Sequence, residues 1–125
     1  MTDLLLKDEV FNIVGAEYEV YNQLGSGFLE AVYQEAFYVE FRLRQIPHKA
    51  HHSILISNKG EPLHQTYIAD FLVYDLIVVE LKALRNIGPI EDAQLLNYLK
   101  ASGLKVGIHL NFGSHRKLEW KRMIF

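Results

Sequence analysis

Two neighbouring apolar segments of this sequence contain charged residues that could bind a metal ion. Asp70 lies within the β-forming segment 68–73, and Glu80 and Lys82 lie within segment 77–83. A buried carboxylate must be paired or bound to a metal, because its desolvation alone costs several kcal/mol. Two carboxylates and an ammonium group at this spacing resemble a divalent-cation site. The alternative is that the three side chains lie on the solvated face of an antiparallel hairpin, and the residues alone leave both interpretations open.

The register of this hairpin decides whether Asp70 and Glu80 share a face of the sheet. Side chains alternate between the two faces along a strand. The two acids therefore share a face only if the residue numbers of each cross-strand pair add up to an even number. A two-residue turn at Tyr74 and Asp75 gives an odd sum and places the two acids on opposite faces. A three-residue loop that includes Leu76, or a β-bulge, brings them together, and we predict one of these two arrangements.

The rest of the sequence predicts helices and strands in a regular order. Apolar spacing predicts an amphipathic helix over residues 4–24, a helix buried on two sides over 27–44, and a third helix over 89–100. Strands are predicted over 53–57, 64–73, 76–83, 106–112 and 118–124. The order ααβββαββ predicts an α/β fold, with a mixed sheet of about five strands flanked by helices.

Composition indicates one folded domain spanning residues 1–125, a length that buries a core without disulfides or metals. The absence of cysteine excludes disulfides and thiolate zinc sites and fits a cytoplasmic location. No segment has the pattern of a secretory signal or a membrane span. The net charge of −2 gives no general attraction to polyanions, so any nucleic-acid contact must be local. The basic residues at 115–117 and 121–122 are candidates for it, with a solvated turn and strand as the alternative.

The histidines are not predicted to form a metal site. His48, His51, His52 and His64 lack the spacing of ligands on one helix face and have no cysteine near them. His109 falls on the polar side of an alternating strand and is expected at the surface or half-buried.

Four motifs, in this order along the chain, resemble those of the PD-(D/E)XK nuclease superfamily. Segment 27–33 is similar to the signature of its small GxxExxY family. Asp70 is similar to the first of the two motifs that name the superfamily, and the tripeptide at 80–82 is similar to the second. Gln94 and Tyr98 resemble the RecB-like QxxxY motif.

The resemblance implies a restriction-endonuclease-like core and a nuclease that hydrolyses phosphodiester bonds of nucleic acid, with DNA as the expected substrate. It further implies that Asp70, Glu80 and the backbone carbonyl of Leu81 hold Mg²⁺, with Mn²⁺ as the alternative ion. Lys82 would position or activate the attacking water.

The resemblance also implies roles for residues on two helices. Glu30 would orient a water molecule from the second helix, although the helix dipole alone favours a glutamate at this position. Gln94 and Tyr98 lie four residues apart on one helix face and would hold Lys82 or Glu80 in place. Ordinary packing is the alternative for both residues, and especially for Tyr98.

Two functions remain open at this point. One is a Mg²⁺-dependent nuclease, and the other is a catalytically inactive domain of the same fold that binds nucleic acid or a protein partner. A small domain offers little surface for clamping a duplex, so a homodimer is a further candidate assembly. No membrane partner is expected.

Overall fold

The computed structural model describes residues 5–113 and 118–125 and has the element order ααβββαββ. The helices are α1 (Lys7–Leu24), α2 (Glu30–Leu43) and α3 (Pro89–Ser102). The strands are β1 (His48–Asn58), β2 (Glu61–Val73), β3 (Ile77–Lys82), β4 (Val106–Asn111) and β5 (Glu119–Ile124). The predicted α/β fold with a mixed five-stranded sheet is confirmed. The basic residues predicted at 115–117 lie outside the described residues.

The five strands follow one another across the sheet in chain order. All neighbouring pairs are antiparallel except β3 and β4, which are parallel. Helix α3 connects β3 to β4, because a parallel pair requires a crossover connection. In the ranges 5–113 and 118–125, no helix is long and apolar enough to cross a membrane.

The sheet is covered by helices on both faces. On β3, Ile77, Val79 and Leu81 pack in the larger core cluster with residues of α1 and α2. Val78 packs in a smaller cluster with Leu95 and its neighbours on α3. Burial of both faces explains why β3 is an almost continuous apolar run in the sequence.

Strands β1 and β2 are longer than predicted and extend past the end of β3 as a two-stranded ribbon. The sequence predicted strands only over 53–57 and 64–73, whereas the observed strands begin at His48 and Glu61. Much of this ribbon is exposed, so hydrophobic periodicity does not mark its ends. Backbone pairing between the two strands defines them instead.

Helix α2 differs from its prediction in two respects. It begins at Glu30, because Gly27 has a φ of 106°, which is incompatible with a right-handed helix. The prediction that α2 is buried on two sides is wrong. The stripe that faces the sheet is buried and consists of Tyr33, Phe37 and Phe41. The second stripe is largely exposed, at 78% for Leu29, 42% for Val39 and 69% for Leu43.

Candidate metal centre at the junction of β2 and β3

Asp70 and Glu80 face each other at the point where β2 and β3 separate. Val73 pairs with Ile77, so the connecting loop has three residues, 74–76, and the predicted odd-length loop is confirmed. The same register places Asp70 opposite Glu80. Glu80 is only 2% exposed, so it does not lie on a solvated sheet face.

The two carboxylates replace the backbone ladder at this junction. Backbone pairing between β2 and β3 ends at Phe71 and Val79. One residue further on, Asp70 Oδ2 accepts a hydrogen bond of 2.7 Å from the Leu81 N–H. Glu80 Oε2 accepts one of 3.3 Å from the Asp70 N–H. Because the N–H and C=O of a strand residue point to the same side, the Leu81 carbonyl also faces the gap between the strands.

Burial and repulsion perturb the Glu80 carboxyl group. Desolvation, followed by repulsion from the Asp70 carboxylate, raises the pKa of Glu80 to about 8. The hydrogen bond from Tyr67 opposes this rise. Two like charges that share a buried site favour either a proton or a bound cation. The gap presents two carboxylates and a carbonyl, which are hard oxygen ligands of the kind that Mg²⁺ prefers.

Tyr67 is a further residue of this junction that the sequence motifs did not identify. Its hydroxyl donates a hydrogen bond of 2.5 Å to Glu80 Oε1. Its ring stacks on Tyr98 of α3, with ring centroids 3.3 Å apart and ring planes 16° apart. Tyr98 therefore reaches Glu80 through Tyr67.

A change of face within β2 brings Tyr67 to Glu80. Phe71 packs in the core cluster of α1 and α2, and regular alternation would place Tyr67, four residues earlier, on that same face. Tyr67 instead packs in the cluster on the α3 side. The pairing of β1 with β2 is interrupted at His51 and Asp70, where His51 has a φ of 53°. This irregularity turns the outer part of the ribbon towards α3.

The Lys82 side chain forms no hydrogen bond or ion pair within residues 5–113 and 118–125, and its backbone carbonyl accepts a hydrogen bond of 2.9 Å from the Phe112 N–H. Lys82 follows Glu80 by two residues on β3, so both side chains lie on the same face of the strand. The Lys82 side chain is half-buried. After burial, its positive charge contributes to lowering the pKa of His109.

His109 is buried at 1% exposure, so the prediction of a surface or half-buried histidine is wrong. It pairs with Glu80 across the β3 and β4 ladder. Its Nε2 lies 3.0 Å from the Glu91 carbonyl oxygen, so Nε2 carries the proton in the neutral ring. Burial is the main cause that lowers the pKa of His109. Strand periodicity could not reveal that α3 covers the polar side of β4.

Glu30 and Asp70 line a cavity of about 400 Å³ between α2 and the sheet, together with Leu81. Glu30 is exposed and lines this cavity from the first turn of α2. The Gln34 side-chain amide donates a hydrogen bond of 3.0 Å to the Asp70 carbonyl, which ties α2 to β2 at the junction. In the described part of the chain, no three His, Asp or Glu side chains are grouped closely enough to hold a metal.

Gln94 is not brought into contact with the acidic pair. It is exposed on α3, one turn before Tyr98, and its side chain forms no hydrogen bond to any residue in the described ranges. The structure therefore groups Asp70, Glu80 and Leu81, links Tyr98 to them through Tyr67, and leaves Gln94 at the surface.

The fold is that of the restriction-endonuclease-like α/β class. A similar solved structure is the crystal structure of SSO0001, with a TM-score of 0.57 and 16% sequence identity. The match covers 95% of this chain but only 59% of the length of that one, and at this identity it concerns the fold alone. The sequence profile of the PD-(D/E)XK nuclease superfamily matches residues 7–123, and the chain belongs to this superfamily. Among curated proteins, none matches the sequence.

Proposed function

We propose that this domain is a Mg²⁺-dependent nuclease of the GxxExxY family that hydrolyses phosphodiester bonds, with DNA as its substrate. The observation that carries the proposal is the pairing of Asp70 with Glu80 where β2 and β3 separate. Members of the superfamily are generally nucleases and typically use divalent metals.

The residues at this junction fit a small divalent cation. Asp70, Glu80 and the Leu81 carbonyl are oxygen donors on rigid strand backbone, and the repulsion within the acid pair would be relieved by a bound cation. Mn²⁺ suits the same donors. A cation held there would stabilise the negative charge that develops on the phosphodiester during hydrolysis.

The remaining residues would bind and orient the reactants. The Lys82 ammonium group lies on the same strand face as Glu80 and can donate a hydrogen bond to the attacking water or to a phosphate oxygen. Glu30 lines the cavity opposite Asp70 and can accept a hydrogen bond from a water molecule. Gln94, exposed one turn before Tyr98, is proposed to hold Lys82 when substrate is bound.

We further propose that the partner is nucleic acid and that the location is the cytoplasm. Nucleic acid is the partner that the superfamily indicates. A second copy of the chain is proposed to help clamp a duplex, since one domain of 125 residues offers little surface for this. The absence of cysteine favours the cytoplasm.

A cleavage assay on labelled single- and double-stranded DNA and RNA tests the proposal. We expect the wild type to cleave DNA with Mg²⁺ and to lose this activity with EDTA or with Glu80→Gln. Glu61→Gln is the matched control, because Glu61 is exposed at the far end of the ribbon. Equal cleavage by wild type and Glu80→Gln would contradict the proposal, since it would indicate a contaminating nuclease.

A catalytically inactive domain that binds nucleic acid or a protein is the second candidate. It is favoured by the lack of a third His, Asp or Glu side chain beside the acidic pair among the described residues. Calorimetry separates the two functions, because an inactive domain that has lost its metal site would not bind Mg²⁺ through Asp70 and Glu80.

A further inference from the structure

We infer that Tyr67 is a positioning residue that fixes the Glu80 carboxylate for cation binding, and that Tyr98 acts on this site by holding the Tyr67 ring. The inference rests on the proposed function, because it gives Tyr67 a role only if Glu80 binds a cation. Tyr67 belongs to none of the four motifs that indicated the superfamily.

The Glu80 carboxylate is held at both of its oxygens. Tyr67 donates to Oε1 at 2.5 Å and the Asp70 N–H donates to Oε2 at 3.3 Å. The shorter bond, in which a hydroxyl donates to a carboxylate, is of the stronger type. Without it, only the longer bond from the Asp70 N–H would hold the Glu80 carboxylate at the gap. Tyr67 therefore keeps the two carboxylates together in the arrangement that a shared cation requires.

The Tyr67 hydroxyl is the hydrogen-bond donor to Glu80 Oε1. This donor on Oε1 leaves Oε2 as the oxygen that faces Asp70. This is the outer hydrogen bond by which ligating carboxylates are commonly oriented in metal sites.

The position of the Tyr67 ring depends on α3. The Tyr67 ring stacks on Tyr98 and packs in the cluster formed by Ile54, Ala69 and neighbouring residues. Tyr98 is the tyrosine of the QxxxY motif, and this stack gives it a contact with the acidic pair that passes through Tyr67. Ring area and stacking, more than the Tyr98 hydroxyl, are therefore what the junction requires from Tyr98.

The test is a calorimetric Mn²⁺ titration of Tyr67→Phe, which keeps the ring and removes only the hydroxyl. We expect Mn²⁺ binding to weaken by about 10–100-fold, the range for lost outer hydrogen bonds at metal sites, in a protein that still melts cooperatively. Tyr18→Phe is the matched control, because Tyr18 is 49% exposed on α1, and it should bind Mn²⁺ like the wild type. A purely structural role for Tyr67 would lower the melting temperature without changing Mn²⁺ affinity.

Tyr98 variants separate the stack from the hydroxyl. We expect Tyr98→Leu to weaken Mn²⁺ binding as Tyr67→Phe does, and Tyr98→Phe to keep it within about threefold of the wild type. If Tyr67→Phe does not fold, the Mn²⁺ affinity of Tyr98→Leu tests the inference in its place. Wild-type Mn²⁺ affinity in both Tyr67→Phe and Tyr98→Leu would overturn this inference and leave the proposed function standing. If the wild type itself bound no Mn²⁺, this inference and the proposed function would both be contradicted.

Discussion

Asp70 and Glu80 each secure the strands at the point where β2 and β3 part, because Asp70 Oδ2 accepts the Leu81 N–H and Glu80 Oε2 accepts the Asp70 N–H. These bonds bring two carboxylates together although their charges repel each other. The local arrangement therefore lowers stability when both groups are ionised.

Glu80→Gln should leave the metal-free protein as stable as the wild type, or slightly more stable. Above the Glu80 pKa of about 8, the substitution removes one of two repelling charges, and the Gln oxygen can still accept the hydrogen bond from Tyr67. The measurement is a thermal melt in EDTA, with Glu61→Gln as the control. A loss of more than about 5 °C, roughly 1 kcal/mol for a domain of this size, would instead make Glu80 a structural residue.

Glu17 should make the stability of the protein depend on pH. It is completely buried on α1, and neither carboxyl oxygen has a hydrogen-bond partner of good geometry among the described residues. Burial raises the pKa of Glu17 to about 9, with partial compensation from the nearby Asn111 backbone and a further rise from Glu119. Because this pKa lies above the unfolded value of about 4.5, the contribution of Glu17 to stability is most favourable below pH 4.5 and becomes less favourable as the pH rises towards 9.

Glu17→Gln should remove this dependence. We expect the variant to be more stable than the wild type at pH 8 by on the order of 1–3 kcal/mol, and the difference to shrink near pH 5. Denaturant unfolding at several pH values measures it. Parallel stability curves for the two proteins would show that Glu17 does not titrate with a raised pKa.

His51 should tolerate glycine better than a β-branched residue. Its φ of 53° lies in the left-handed region, where a side chain costs about 1–2 kcal/mol and glycine costs little. We expect His51→Gly to keep or raise the free energy of unfolding and His51→Val to lower it by about 1–2 kcal/mol. His64 supplies the control, because it is exposed on β2 without a positive φ, and valine should be preferred there. If glycine and valine ranked in the same order at positions 51 and 64, this would contradict a left-handed backbone at His51.

Gln94→Ala should lower turnover more than substrate binding. Gln94 is exposed, so its removal should not affect folding, and any loss of kcat reports on the placement of Lys82. The expected loss is about tenfold to a hundredfold in kcat with little change in KM. Asn97→Ala, at another exposed position of α3, is the control. A wild-type kcat in Gln94→Ala would show that its match to the QxxxY motif has no catalytic meaning here.

The fold and the hairpin register could be predicted because both depend on local patterns. Alternating apolar residues mark β4, and the helix between β3 and β4 requires them to be parallel. If Asp70 and Glu80 share a face of the sheet, the loop between their strands must have an odd number of residues, as the observed three-residue loop does. The roles of Glu30, Lys82 and the other motif residues stay predictions.

The features that sequence patterns did not show depend on contacts between distant segments. Tyr67 reaches Glu80 only because the ribbon changes face at His51 and Asp70, which strict alternation does not anticipate. On α1, the apolar Tyr18 is 49% exposed whereas its charged neighbour Glu17 is buried, the reverse of what their polarity indicates. A rotation of α1 about its axis by one residue position determines whether Tyr18 or Glu17 faces the core. The packing of α1 on the sheet sets that rotation.

We propose that Asp70 and Glu80 together bind one divalent cation. A calorimetric titration of Mg²⁺ into the wild type, Asp70→Asn and Glu80→Gln tests it most directly, with Glu61→Gln as the control. We expect one Mg²⁺-binding site in the wild type and in Glu61→Gln, and loss of Mg²⁺ affinity in Asp70→Asn and Glu80→Gln. Equal heats of binding in all four proteins, or no binding in the wild type, would contradict it.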